Sequence, residues 1–500
     1  MDPSDRIRLA YSPELASRVL RHVGERFAGH LARSQQAEGP VLPWNAPAEN
    51  VAQAAEFLGA GELQPGEDVE AVARRIETLV QTILDRGINL HHRRYVGHQV
   101  APPPPLAAVF DAVSSLTNQG AAIYEMGPWS AGVERAVVNR LGEAFGLPAG
   151  GFTGFATHGG SLGNLTALLT ARSIQFPGVW QHGFEAGPAP VLLVHRDAHY
   201  CVDRSAGILG IGTSRVIPLA LDGDRRIDVP QLRAALADLR SRGTPILAVV
   251  ACAGTTMTGT FDCLGDIADV CREFGVWMHV DAAHGGGAIF SERHRHRLQG
   301  LERADSFVCD AHKMMFAPAL CAFVFHRHPD RRYATFAQEA HYLYDPTASG
   351  SADFDFGLLT VECTKRAMTY TVWGLWSLLG PGIFGDLVDA TCARAEEFAE
   401  DLREAPDFDL LFRPESNIVV FRYRPAGWPG SEEQLGEFNR RIRRTIIESG
   451  RFYFVQASVD HVGALRAVVM NPLTTQSDLR GLMDEVRATG QALSAAGVPV

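Results

Sequence analysis

Lysine is nearly missing from this chain. Of its 46 lysines and arginines, only Lys313 and Lys365 are lysines. A GC-rich coding bias explains arginine as the general surface cation. It does not explain a lysine that is kept, because a guanidinium stays protonated and cannot form a Schiff base. Chemistry is therefore expected to need one of the two. Other absences narrow the field further. No apolar run reaches the roughly 18 residues of a membrane span, and the start, MDPSDRIRLAYSPE, has no secretory h-region. Basic runs that would track a phosphate backbone are missing, and the net charge is −11, so nucleic acid is not an expected partner. The eight cysteines are scattered without a CxxC pair, which reads as reduced thiols in a cytoplasmic protein. No HExxH occurs; His195 and His199 are four apart but read as strand and loop rather than helix, and His294/His296 and His91/His92 are two apart and adjacent, so no metal is expected. No repeat of 20–50 residues points to a solenoid.

What remains is a 500-residue chain of ordinary globular composition, 46% hydrophobic and 21% charged. Residues 1–90 read as a helical N-terminal segment, with Val69, Val72, Ile76, Leu79, Ile83 and Leu84 at helical spacing. After the proline run Pro102–Pro105 the pattern turns to strand–helix alternation. Pro190–Val194, Ile246–Ala251, Val276–Val280 and Leu320–Phe325 are short apolar runs between turns, the mark of a largely parallel α/β sheet in a large domain over 91–380. Residues 345–357, DPTASGSADFDFG, read as a functional loop. A small α+β domain is expected over 381–500, where Ser431 and Gln434 form a capping box ahead of Leu435, Phe438, Ile442 and Ile446.

Three elements carry chemistry. Asp281 follows a strand in HVDAAHGGG, at the carboxyl edge where open α/β sheets bind ligands. Lys313 follows 32 residues later in DAHKMM. Gly159, Gly160 and Ser161 open a helix in THGGSLGNLTALLTAR, a ready anion site. Singly, these read as a helix cap, a surface lysine and a tight turn. Together they fit pyridoxal 5′-phosphate: phosphate at the helix, Schiff base at Lys313, protonated ring nitrogen facing Asp281. His199, in HRDAHYCVDRSAG, is placed to stack on the ring.

In these motifs the chain resembles the group II amino-acid decarboxylases of PLP fold type I, from about residue 90 onward. YVGHQ, NQGAAIYEMGP, AGTTMTGTFD and LRAVVMNPLTT add to the likeness. The resemblance implies an aspartate aminotransferase-like fold with a mostly parallel seven-stranded-type sheet, and a homodimer whose N-terminal helices are swapped. It implies that Lys313 bonds the cofactor, Asp281 pairs with the pyridine nitrogen and His199 stacks. Gly159, Gly160 and Ser161 would hold the phosphate with His312 and Asp310 nearby, and Thr256 and Ala283 would touch the ring. Tyr95, His98, Gln99, Asn118 and Tyr124 resemble substrate-lining segments.

Two departures stand out. Asp310-Ala311 replaces the usual Asn-Pro before His-Lys, and Ser161–Asn164 reads Ser-Leu-Gly-Asn in place of Ser-Glu-Ala-Asn. The loop departs more sharply. Aligned back from Glu362-Cys363, Phe354 stands where typical members carry the tyrosine that reprotonates Cα, and phenylalanine has no proton to give. Members with this change resemble aldehyde synthases, in which dioxygen takes part and decarboxylation is coupled to oxidative deamination. Alternatives stay open: simple decarboxylation with another proton source, β-elimination on an S-substituted cysteine, or a non-catalytic relative. A hydrolase is set aside. The bias and the altered loop suit secondary metabolism.

Overall fold

The computed structural model describes residues 3–59, 69–184, 189–329, 335–336 and 352–496. The first part of the expected loop, 345–351, lies outside them. The chain separates into two units, one of Met1–His98, Glu400–Leu411 and Val420–Val500, the other of Gln99–Ala399 with Phe412–Val419.

The larger unit is built on the expected seven-stranded sheet. Its strands are β1 (Thr153–Thr157), β2 (Val191–His195), β3 (Val216–Leu219), β4 (Ile246–Cys252), β5 (Trp277–Asp281), β6 (Ser306–Asp310) and β7 (Ala322–His326), in the order β1-β7-β6-β5-β4-β2-β3. The pairs from β6 through β5, β4 and β2 to β3 are parallel, and β7 runs antiparallel to both β6 and β1. The reversal follows from chain length. Eleven residues join β6 to β7, too few for the helical crossover that a parallel pair needs. Every residue of β1, β2, β5, β6 and β7 is buried, as expected of strands covered on both faces.

Lys365, the second lysine, is wholly buried in this unit. Its Nζ donates to Glu134 Oε1 at 2.5 Å and to the Ala156 carbonyl at 2.6 Å, and lies 4.4 Å from the centre of the Phe356 ring. Glu134 Oε1 also accepts the Ala156 N–H at 2.8 Å, so the pair clamps β1 just before the glycine turn. Removing one partner of such a pair strands a charge in the core, at about 3–5 kcal/mol. Lys365→Met should lower unfolding free energy by that amount, with much of it recovered in Glu134→Gln/Lys365→Met. A loss under about 1 kcal/mol in denaturant titration would contradict this role.

The smaller unit contains β8 (Phe408–Leu410), β9 (Ile418–Tyr423), β10 (Val455–Val459) and β11 (Val462–Val468) in one sheet ordered β10-β11-β9-β8. The Ser431/Gln434 capping box is formed, and Leu435, Phe438, Ile442 and Ile446 are buried along the helix it opens, Glu432–Ser449. The N-terminal helix Val69–Arg86 uses its stripe unevenly. Val72 and Ala73 pack with Leu15, whereas Leu79 and Ile83 are 43% and 70% exposed.

Candidate active site

The sheet collects polar groups at its carboxyl edge, and there they border a cavity of about 320 Å³. Asp281 is the last residue of β5. Asp310 ends β6 and Cys252 ends β4. The turn after β1 brings in His158 to Ser161, and the loop after β2 brings in His199. Lys313 reaches the same cavity, because a short turn after β6 folds its backbone N–H onto the Asp310 carbonyl at 3.1 Å.

The glycine turn has a steric cause. Gly159 adopts φ 91°, in the left-handed region, and begins the helix Gly160–Gln175. A Cβ on Gly160 would stand 2.6 Å from Asp310 Oδ1. The first N–H groups of this helix are thus open to an anion. A buried relay fixes the helix in place. Ser306 Oγ accepts from Trp277 Nε1 and pairs with His279 Nδ1, each at 2.9 Å, and His279 Nε2 pairs with Asn164 Oδ1 at 2.7 Å. Asn164 Nδ2 donates to the Gly160 carbonyl at 3.0 Å. Burial holds His279 down at about 4, so the relay carries a neutral ring. Residues 159–163 also spell GxSxG, which the sequence reading overlooked. The Ser161 side chain stands beside the Cys201 thiol, which is held protonated and is no general base.

Lys313 Nζ lies 3.1 Å from Asp310 Oδ2. Burial pulls the ammonium down, but the Asp310 and Asp281 carboxylates outweigh it and leave Lys313 above the ordinary lysine value. Asp310 Oδ1 is buried without a hydrogen-bond partner, beside the glycine turn. His312 donates from Nδ1 to the Cys321 carbonyl at 2.9 Å and turns Nε2 toward Asp310 Oδ2 at 3.6 Å. Asp281 Oδ1 accepts the Ala283 N–H at 3.1 Å, which orients the carboxylate. His199 accepts the Cys201 N–H on Nδ1 at 3.2 Å, so its ring proton sits on Nε2. Burial lowers its pKa despite the nearby Asp281 charge. The Cys201 thiol is pushed up to about 12 by burial, and stays protonated.

All ten expected cofactor residues therefore border one cavity: Thr256 and Ala283 line it with those already placed. Several other expected site residues do not. Phe354 packs against Tyr124, ring centres 5.6 Å apart, with the Arg135 guanidinium 5.6 Å from its own. Gln99 is buried elsewhere, and Asn118 ends the helix Pro105–Thr117 in a left-handed conformation. None of these four lines the cavity. Tyr95 and His98 belong to the smaller unit, where both pack on the Tyr453 ring at 5.4 and 5.8 Å. Beside them is Arg466 on β11, buried and pulled down to about 10, which the sequence reading did not single out although LRAVV shows a charge inside an apolar strand. His158 was missed as well. It borders the cavity, and its Nδ1 is hydrogen-bonded to Glu362 Oε1.

A sequence model described as the pyridoxal-dependent decarboxylase conserved domain matches residues 66–424. Among solved structures, mouse CSAD is 25% identical with a TM-score of 0.86, over 96% of this chain and 99% of that one. The glutamate decarboxylase domain of a Vibrio parahaemolyticus diaminobutyrate-pyruvate transaminase and L-2,4-diaminobutyrate decarboxylase is 24% identical, with a TM-score of 0.83 over 98% and 100%. The Rhodiola rosea 4-hydroxyphenylacetaldehyde synthase is 19% identical, with a TM-score of 0.82 over 97% and 99%. The last two share the fold.

Proposed function

This chain belongs to the pyridoxal-dependent decarboxylase family, and we propose that it releases carbon dioxide from Cα of an L-amino acid, using Lys313 and Asp281 about its cofactor. The observation that carries this reading is the meeting of Lys313, Asp281 and the Gly159–Ser161 turn in one cavity. The donor set fits pyridoxal 5′-phosphate: an amine for its carbonyl, a carboxylate at a strand end, and open N–H groups at a helix start. When bound, the cofactor supplies an electron sink for the pair left at Cα.

The residues divide the work. Lys313 Nζ, beside Asp310 Oδ2, would hold the cofactor covalently. Asp281, fixed by the Ala283 N–H, holds a proton at the ring nitrogen. The N–H groups of Gly160 and Ser161 bind the phosphate with His312. His199 would stack on the ring, and Thr256 and Ala283, on the same cavity wall, would contact it. Borohydride reduction of the loaded protein followed by peptide mapping tests the assignment. Cofactor fixed on Lys313 is expected, and cofactor fixed elsewhere or nowhere would contradict it.

Phe354 sets the second part of the proposal. With no phenol at that position, dioxygen competes with a proton for the electron pair at Cα. In air, part of the product would then leave as aldehyde, with ammonia and hydrogen peroxide. In this chain the Phe354 ring packs on Tyr124 outside the cavity, so Phe354→Tyr tests whether a phenol at this position acts at Cα, the expected result being a raised ratio of amine to aldehyde. An unchanged ratio in product analysis would remove the loop from the account. The reading also includes a homodimer. Leu20, Leu58 and Ile83, each more than 60% exposed on the N-terminal helices, suit burial against a second copy.

A further inference from the structure

We infer that His158, oriented by Glu362, is the acid that returns a proton to Cα after carbon dioxide leaves. The inference rests on the decarboxylase reading and supplies the proton source that Phe354 lacks. Histidine 158 stands between β1 and the glycine turn, on the cavity wall. Its Nδ1 is hydrogen-bonded to Glu362 Oε1, across 204 residues of sequence. A carboxylate on one ring nitrogen fixes the tautomer and stabilises the charge the ring takes on, which leaves Nε2 to exchange the working proton. Glu362 Oε2 is buried with no hydrogen-bond partner. A carboxylate so placed is held best by a cation next to it, and His158 is the group that reaches it.

The other donors around the cavity are less suited. Burial lowers His199, whose Nδ1 already accepts the Cys201 N–H, so the ring holds a single proton. His284 Nε2 is paired with Asn417 Oδ1 at 2.8 Å. His312 spends Nδ1 on the Cys321 carbonyl and faces Asp310 with Nε2. The thiol of Cys201, at about 12, is a weak acid. Tyr200 borders the cavity too, but its ring is packed between His199 and the Arg204 guanidinium.

The step balances simply. The Cα–carboxylate bond breaks, carbon dioxide leaves, and the electron pair stays at Cα. A Cα–H bond forms with the proton from His158 Nε2, and the ring becomes neutral while Nδ1–H stays on Glu362. Water at the cavity mouth recharges Nε2. Glu362 acts through His158 and is a positioning residue.

The experiment is turnover of the holoenzyme in D2O without dioxygen, with carbon dioxide counted and the configuration of deuterium at the amine Cα determined. Cofactor retention, read from visible absorbance after gel filtration, reports folding separately. Wild type should give one deuterium per amine in a single configuration. His158→Gln should keep its cofactor, form amine about 100-fold more slowly and give deuterium in both configurations. Glu362→Gln should lose about tenfold with partial mixing, and Tyr200→Phe should keep the single configuration. In the cofactor-free protein, 15N NMR should find the His158 proton on Nδ1 in wild type and lose that preference in Glu362→Gln. Single-configuration amine from His158→Gln, at any rate, overturns the inference. If His158→Gln does not retain cofactor, unmixed label from Glu362→Gln overturns it. Wild type that releases carbon dioxide without amine overturns it but leaves the decarboxylase reading standing. Wild type that releases no carbon dioxide from any L-amino acid overturns both.

Discussion

Lys313→Ala is expected to abolish turnover and to leave no cofactor fixed by borohydride. The scarcity of lysine makes this result unusually clean. Only Lys365 remains to take over, and it is wholly buried, with Nζ held by Glu134 and the Ala156 carbonyl. Lys313→Arg should fail equally. It keeps a cation beside Asp310, where Lys313 sits at 3.1 Å, but a guanidinium cannot form the bond. The pair of variants therefore separates the covalent role from the electrostatic one. Turnover above about one-tenth of wild type in Lys313→Arg would mean that the lysine serves only as a charge.

Asp281→Asn should keep the cofactor and release carbon dioxide about 100-fold more slowly. An opposite charge within a few ångströms shifts a pKa by 1–3 units, and each unit is a tenfold change in the protonated fraction. The amide is nearly isosteric, so the Ala283 N–H can still find an oxygen there. What is lost is the charge that keeps the ring nitrogen protonated. The loss should shrink when a cofactor analogue with a permanently charged N-methyl pyridinium replaces the natural one. A rate within threefold of wild type, measured as carbon dioxide release, would contradict the pairing.

Much of this site was legible because its chemistry is local in sequence. HVDAAHGGG puts Asp281 at a strand end, DAHKMM puts Lys313 just ahead of the apolar run Leu320–Phe325, and the Gly159–Ser161 turn announces a helix start. Lysine scarcity added a composition signal independent of motif. The strands of the fold were legible where the apolar run was long enough; β3 (VIPL), short and holding a proline, was not. β2, β4, β5 and β7 stood out as runs, whereas β1 (TGFAT) and β6 (SFVCD) carry polar ends that are buried only because sheet neighbours cover them. The antiparallel setting of β7 is a matter of connection length, which periodicity does not report.

The remainder depended on distance. His158 lies in THGGSLGNLTALLTAR and Glu362 in the loop anchor Glu362-Cys363, but neither segment shows their pairing, which spans 204 residues. Lys365 read as a second chemical candidate until its burial against Glu134 and Phe356 gave it a structural role. The uneven stripe of Val69–Arg86 shows a related limit: amphipathic spacing identifies an apolar face but not what covers it. Leu79 and Ile83 remain exposed within the chain.

The most direct measurement is the stoichiometry of carbon dioxide, amine, ammonia and hydrogen peroxide for a panel of L-amino acids, S-substituted cysteines included, in air and without dioxygen. The account predicts one carbon dioxide per amino acid consumed in both conditions. It also predicts amine without dioxygen, and in air a share of aldehyde matched by equal ammonia and peroxide. Ammonia with a keto acid and no carbon dioxide would contradict it, because the bond broken at Cα would then be the one to hydrogen.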